Sequence, residues 1–403
     1  MKPRVVVLTT YYHPVVGGVE AHARQLVGAL HAMGYAVRVV TKRVHRDQPR
    51  LEHVDDVPVH RIAPAGERRA SGKWLALPGA FGALIALRRD YDVIVCVDYR
   101  GLGIAAIAAG RLLNRPVIAQ GETAGVLRGP ASGSTSGLRP ESAVQRALRA
   151  PVRAIYRQAD HIVCIGRDLE QEALASGIPR DRVHYLPHGV DVDRFRPADE
   201  AERQRIRGRL GWPVDRPIVL FVGRLSREKG VMDLLEAWRP LSAGFTGVPP
   251  MLVLVGPDMT GHPWDCGAPG RAFVQAHGLG GSVRFEGPAA DPAPYYRAAD
   301  AFVQPSHFEA LGNTAVEAMA SGLPVISSGV GGLGDFCVDG VNAIVHQPRS
   351  PESLAGAIAR ALADPVLRGE LGAAARKTAV ERFESRALLA RYAALIDQSV
   401  RVR

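Results

Sequence analysis

Two successive series of short apolar runs, each run followed by helical periodicity, constrain this chain more than any other feature. The first opens with Val5–Thr9, turns at Gly17-Gly18, and continues as a helix pattern from about Val19 to Met33, apolar at Ala23, Leu26, Val27 and Leu30. Gly34 stops that helix, and Val37–Thr41, Val93–Val97, Val117–Ala119 and Ile162–Ile165 read as further strands. The second series starts at Ile218–Val222 and passes through a helix near Met232–Trp238. It continues with Leu252–Val255, Val283–Phe285, Ala301–Gln304 and Pro324–Ser327. Alternation of this kind predicts an α/β fold with parallel sheets. At 403 residues the chain exceeds the ~250–300 at which one core stops growing. Two Rossmann-like domains facing across a cleft are therefore expected, with ligands at the carboxyl ends of the strands. The boundary is placed near residue 200, after Pro187–Pro197 and within the charged stretch Ala198–Arg209. This gives domains 1–200 and 201–375, with 376–403 a helical tail that packs back on the first domain.

The apolar runs also exclude some classes. None approaches the ~18 residues that cross a bilayer, and Val5–Leu8 is too short for a secretory leader. Cys96, Cys164, Cys266 and Cys337 are widely spaced and form no CxxC, so buried free thiols in a reducing, cytoplasmic setting are expected. The formal charge of +10 favours anionic partners without choosing among them. Nucleic acid is not expected, because no aromatic platform or zinc spacing accompanies the charge. Gly129–Pro140 (GPASGSTSGLRP) has no core pattern and reads as a mobile loop.

Five clusters carry candidate chemistry, and four of them closely follow a strand run. Gly17-Gly18-Val19-Glu20 joins a strand to a helix; its glycines admit close approach of a ligand and the helix N-terminus favours an anion. A plain tight turn accounts for it equally well. Gly223-Arg224-Leu225-Ser226-Arg227-Glu228-Lys229-Gly230 sets Arg224 directly after a strand and Lys229 five residues later. Arg can grip two phosphate oxygens and Lys supplies a point charge, which suits a diphosphate. In Ser306–Ala320, Glu309 and Glu317 lie eight residues apart. Thr314-x-x-Glu317 fits a capping box, which gives Glu317 a structural account. Glu309 has no such account apart from a salt bridge. Backbone N–H groups near Leu311, Gly312, Asn313 and Thr314 would then face phosphate. Gly329–Gly334 matches GxGxxG, but Asp339-Gly340 turns the chain again too soon for a dinucleotide helix. Asp191-Val192-Asp193 lacks a third ligand, so no metal site is expected there.

In this order the clusters resemble the retaining glycosyltransferases of family 4, which have the GT-B fold. Val222–Gly230 is similar to that family's GRLxxxKG element, Pro305–Pro324 to its PSxxEx7EAMAxGxP element, Leu186–Pro197 to PxGVDxxxFxP, and Val330–Asp335 to xGGxxE. The resemblance implies a sugar moved from a nucleotide diphosphate sugar to a glycan, lipid-linked or small-molecule acceptor, with no metal and no cofactor. It implies that Gly17, Gly18, Gly223, Arg224 and Lys229 lie on the donor side, the two cations holding its diphosphate. Glu317 would bind the ribose and Glu309 the transferred sugar, and Leu311, Gly312, Asn313 and Thr314 would meet phosphate or sugar. Glu309, Arg224 and Lys229 are the catalytic candidates.

The chain departs from the family pattern at three places. Gln120-Gly121-Glu122 stands where a His is frequent, which makes Gln120 and Glu122 acceptor-side candidates. His188 replaces a common Asn, and Asp335 a Glu. The rival readings are an epimerase or oxidoreductase on paired Rossmann domains, which would need a different acid–base or nicotinamide site, and a non-catalytic sugar-nucleotide-binding protein. Two basic stretches, Arg68–Arg89 and Arg139–Arg157, raise peripheral contact with an anionic membrane. In the second, Val144, Leu148, Val152 and Ile155 recur at helical spacing, and the simpler expectation is a core-facing helix with a solvated basic face.

Overall fold

The computed structural model describes residues 2–15, 17–66, 74–128, 142–244 and 248–401. The glycine–serine segment 129–140, with Arg139, and the basic positions Arg68, Arg69 and Lys73 lie outside them. The chain divides into two compact units, 1–189 with 386–403, and 190–385.

The first unit holds an eight-stranded sheet of β1 (Arg4–Thr9), β2 (Ala36–Lys42), β3 (Leu51–Val54), β4 (Val57–Ile62), β5 (Val93–Val97), β6 (Val117–Gly121), β7 (His161–Cys164) and β8 (Val183–Tyr185). The spatial order is β3-β4-β2-β1-β5-β6-β7-β8. Among the described residues, only the β3–β4 hairpin of this sheet is antiparallel. It escapes a reading by turn residues because its two-residue turn is Asp55-Asp56, both at positive φ (50° and 63°), in place of the usual Asn-Gly. Strands buried on both faces read as unbroken apolar runs, and Val5 to Leu8 and Val93 to Val97 are all fully buried. The helix Gly18–Ala32 lays Ala23, Leu26, Val27 and Leu30 on this core. So does the C-terminal helix Ser385–Arg401, through Leu388, Leu389, Tyr392 and Ile396. Tyr35 OH donates to Asp397 at 2.8 Å and fixes its rotation.

The second unit holds six parallel strands: β9 (Ile218–Val222), β10 (Met251–Val255), β11 (Val283–Gly287), β12 (Ala301–Gln304), β13 (Val325–Ser327) and β14 (Ala343–Val345). Their order, β11-β10-β9-β12-β13-β14, is that of a dinucleotide-type sheet, and it reverses between β9 and β12. Both units are thus parallel-sheet α/β domains, as the apolar pattern predicts. All four cysteines are free and buried.

The division falls at Gly189/Val190 and again at Ser385/Arg386, against expected points near residues 200 and 376. The physical reason lies in the chain after Pro187. Val190 N–H donates to Phe383 O (2.7 Å), Ser385 N–H to Val190 O (3.0 Å), and Arg376 donates to Val192 O and Phe195 O. These bonds draw 190–197 into the second unit. The helix Pro365–Phe383 runs unbroken through residue 376, so the tail begins only after it.

Candidate active site

The reversal between β9 and β12 is where ligands enter open α/β sheets, because the two connecting helices leave in opposite directions. Arg224 and Lys229 follow β9, and Glu309 follows β12. Three glycines bring these loops together. Gly230, at φ +70°, ends the single turn Arg227–Lys229, and a Cβ there would collide with the Pro305 carbonyl. Gly256 likewise packs its bare Cα on the Gly223 carbonyl, and Gly332 on the Ala310–Leu311 backbone. Gly332 N–H also donates to Glu309 O at 3.2 Å. His307 ties the loops further: its N–H donates to Glu228 O (2.8 Å) and its Nε2 meets Asp233 Oδ2 (2.7 Å).

The side chains then fall into two ion pairs. Lys229 Nζ donates to Glu309 Oε1 at 2.5 Å, and Arg224 pairs with Glu228. Glu309 Oε1 also accepts from Gln304 Nε2 (2.5 Å) and Ser306 Oγ (3.4 Å). Gln304 in turn accepts from Thr314 Oγ1 at 3.2 Å. Gln304 was not singled out by sequence; it ends the apolar run of β12 without any charge to mark it. The Lys229–Glu309 pair is mostly buried, whereas the Arg224 side chain is 41% exposed. The first cation is held in place, and the second is open to an anion.

The capping box does not form. The helix Asn313–Ala320 starts after Gly312, which lies at φ +97° and offers no side chain. Thr314 is turned to Gln304, and Glu317 Oε2 accepts from the Tyr296 hydroxyl at 2.8 Å. Although the Glu317 side chain keeps some surface, burial of its carboxyl pushes the pKa up to about 7, against smaller lowering effects of Tyr296 and Arg194. Leu311, Gly312 and Asn313 lead into the helix N-terminus beside Glu309, where the helix dipole favours negative charge. In the linker, Asp191 Oδ1 accepts from the N–H groups of Asp193 and Arg194 (3.0 Å each), so this carboxylate closes a turn.

The first unit carries a different cluster. Gly17 precedes the helix Gly18–Ala32 with extended backbone, and the Glu20 carboxylate folds back over it, so that a Cβ at Gly17 would strike that group. The first turn thereby supplies its own anion. Behind it, Gln120 and Glu122 are buried at the carboxyl end of β6 with His22 and His188. Gln120 Nε2 donates to Glu122 Oε1 (2.6 Å), and His188 Nε2 meets the same oxygen at 3.1 Å. Burial, followed by the neighbouring His188, drives the His22 pKa well down. Burial and the Glu122 charge raise that of the Tyr392 phenol.

Residues 202–378 match the family described as "Glycosyl transferases group 1", and residues 17–189 the one described as "Glycosyl transferase 4-like domain". A D-inositol 3-phosphate glycosyltransferase of Xylanimonas cellulosilytica is 31% identical over 94% of this chain and 93% of its own length. This chain belongs to the group 1 glycosyltransferases. A second D-inositol 3-phosphate glycosyltransferase, from Geodermatophilus obscurus, is also 31% identical, over 93% of this chain and 85% of its own. Among solved structures, sucrose-phosphate synthase of Thermosynechococcus elongatus superposes with TM-score 0.81 and 26% identity, covering 99% of this chain and 100% of that one. Anabaena Alr3699/HepE in complex with UDP-glucose, 18% identical, shares the fold with TM-score 0.76 over 98% and 99% of the two chains.

Both matched stretches of this group 1 glycosyltransferase contain one of the clusters. The glycine-rich Gly329–Gly334 forms only the short turn Gly331–Asp335, and its Gly332 packs closely on the Glu309 loop. The helix Ala143–Tyr156 departs from the core-facing expectation. Val144 and Leu148 are 68% and 74% exposed, and only Arg153 and Tyr156 are buried. Arg153 turns inward, where its Nε donates to Val126 O (3.2 Å), while Val152 and Ile155 are half-buried. No helix among the described residues is long and apolar enough to cross a membrane.

Proposed function

We propose that this glycosyltransferase takes a nucleotide diphosphate sugar and transfers the sugar with retention of configuration, without a metal or cofactor. The observation that carries the reading is the placement of Arg224 and Lys229 in the one loop that follows β9 and ends at Gly230, at the β9–β12 reversal, with Glu309 bonded to Lys229. In this reading the donor diphosphate exchanges with Glu228 on Arg224 and shares Lys229 with Glu309. The two cations stabilise charge that grows on the leaving diphosphate, and the donor phosphate takes the acceptor's proton on the same face. Glu309 positions hydroxyls of the transferred sugar, and Glu317 the ribose. Leu311, Gly312, Asn313 and Thr314 border the phosphates.

The relatives' names give the acceptor a chemistry to test. D-inositol 3-phosphate glycosyltransferases and a sucrose-phosphate synthase suggest a hydroxyl on a phosphorylated polyol or sugar. Fold neighbours solved in complex with UDP, with UDP-glucose and with ADP and acarbose direct the donor panel to uridine and adenosine diphosphate sugars. The decisive experiment is thermal stabilisation by that panel, with free nucleotides and NAD as controls. A donor at ~100 times its dissociation constant adds about 2.7 kcal/mol. Stabilisation by a nucleotide sugar that Arg224→Ala abolishes supports the reading; stabilisation by NAD alone overturns it.

Peripheral contact with a membrane at its cytoplasmic face is the second reading, favoured by the exposed Val144 and Leu148 beside Arg146 and Arg149. Co-sedimentation with anionic but not neutral liposomes at low salt supports it. Equal recovery of wild type and Leu148→Ser in the supernatant overturns it.

A further inference from the structure

Among the described residues, one hydroxyl bonds the carboxyl of Glu317. Tyr296, on the short helix Ala293–Ala298, donates to Glu317 Oε2 at 2.8 Å. Nothing among those residues donates to the other oxygen, Oε1. Glu317 itself stands on the second turn of the helix Asn313–Ala320.

Packing keeps the phenol on this acid. Its ring is fully buried, with Phe195 edge-on at 5.7 Å and Phe302 tilted against it at 5.6 Å. A buried hydroxyl needs a partner, and one that is charged binds it more strongly. Phe302 belongs to β12, the strand that leads to Glu309. Phe195 belongs to the segment 190–197 that enters the second unit. Arg376 pins that segment, since its Nη1 donates to Val192 O (3.0 Å), Phe195 O (2.8 Å) and Ala320 O (2.5 Å). Ala320 is the last residue of the Glu317 helix. Arg194 of the same segment bonds Asp291 at 2.7 Å, just before the Tyr296 helix. The contacts close a ring, from Arg376 through Phe195, Tyr296 and Glu317 to Ala320 and back. A glutamate free to turn loses rotamer entropy when a ligand fixes it. Here the phenol fixes Oε2 in advance and leaves Oε1 to the ligand.

We propose that Tyr296, braced by Phe195, is a positioning residue for the donor, which aims the Glu317 carboxylate at the ribose hydroxyls before the nucleotide arrives. The inference rests on the transferase reading, in which Glu317 binds ribose.

The test titrates UDP and ADP, and the 2′,3′-dideoxy form of each, into the full chain at pH 8, above the Glu317 pKa of about 7. Wild type is expected to bind the ribonucleotide that fits about tenfold or more tightly than its dideoxy form. Tyr296→Phe keeps the ring and removes only the hydroxyl. It is expected to lose about tenfold in affinity for the ribonucleotide and nothing for the dideoxy form, with kcat little changed at saturating donor. Phe195→Leu loosens the ring and is expected to lose about threefold with the same selectivity. Tyr295→Phe, whose ring lies against Trp212 at 5.8 Å, serves as control and leaves both affinities unchanged. A purely structural role predicts losses that follow melting temperature and are equal for the two forms. Equal losses, or full ribonucleotide affinity in Tyr296→Phe, overturn the proposal. Failure of wild type to bind either nucleotide, or to prefer the ribose form, overturns instead the donor reading on which it rests.

Discussion

The polar clusters at the carboxyl ends of the two sheets are built on opposite principles. In the second unit the charges stand in pairs along a glycine-packed loop, Lys229–Glu309 mostly buried and Arg224 with 41% of its side chain exposed. In the first, His22, Gln120, Glu122 and His188 are all buried around a single carboxylate oxygen. An exposed ion pair is worth little and exchanges its partner readily. A buried set cannot exchange without leaving a polar group unsatisfied, so it can orient but not easily bind. The difference separates groups suited to holding a charged ligand from groups suited to holding the protein's own backbone.

Arg224→Ala tests the open side of this contrast and has the largest expected effect. Loss of a preorganised charge donor costs about 10²–10³ in rate, or about 2.7–4 kcal/mol of transition-state stabilisation. Folding stability is expected to change by only about 0.5 kcal/mol, since the residue is half-exposed. Steady-state kinetics beside denaturant melts check both, and a stability loss as large as the rate loss would break the contrast.

Gly230→Ala sharpens it from the backbone. A left-handed φ of +70° and the Pro305 carbonyl both stand against a Cβ, so a loss of about 2–4 kcal/mol is expected in denaturant melts. Donor affinity should fall with it, because this glycine delivers Lys229 to Glu309. Lys229→Ala comes next, at about 2 kcal/mol. Breaking a fully buried pair costs about 3–5, and this pair retains some surface. Lys229→Ala with Glu309→Ala should recover part of that stability without recovering donor binding. Strict additivity of the two melts would mean that the pair is not coupled.

The same contrast explains what the sequence revealed. The central strands of both sheets were legible as apolar runs, though β3, β4, β8 and β14 were not, and Arg224, Lys229 and Glu309 were legible as charges next to them. Gly230 stands next to Lys229, so there motif and geometry coincide, whereas Gly256 and Gly332 pack on these loops from elsewhere in the chain. Gln120 and Glu122 were visible only as a departure from a pattern. His22 drew no reading of its own, and His188 was noted only as replacing a common Asn. Nothing local indicates that residues 22, 120 and 188 meet, since the sheet order, and not the chain order, brings them together. The capping box at Thr314 failed for a related reason. Gly312 already opens the helix in a conformation that a side chain would strain, and Gln304 and Tyr296 offer Thr314 and Glu317 better partners.

Glu317 lies between the two principles, a buried acid within the open cluster, and gives the smallest and most diagnostic effect. Its pKa of about 7 in the folded chain exceeds the ordinary 4.5, so between those values the native state binds more protons than the unfolded one. Stability contributed at this site is full below about pH 4.5 and declines as pH rises toward 7. Glu317→Gln keeps an acceptor for Tyr296 and cannot ionise. It is expected to match wild type at acid pH and to exceed it by on the order of 1–2 kcal/mol above pH 8, a figure reduced because the side chain keeps some contact with water. Donor affinity should run the other way. In the proposed role, two ribose hydroxyls need the carboxylate as acceptor, so wild-type affinity is expected to rise as pH passes 7 while that of Glu317→Gln stays flat and weak. Melts and donor titrations across pH 5 to 9 read both slopes (~1.4 kcal/mol per pH unit at most for one proton). Opposite slopes in wild type and none in the variant place Glu317 with the ligand-holding groups; parallel curves place it with the buried set of the first unit.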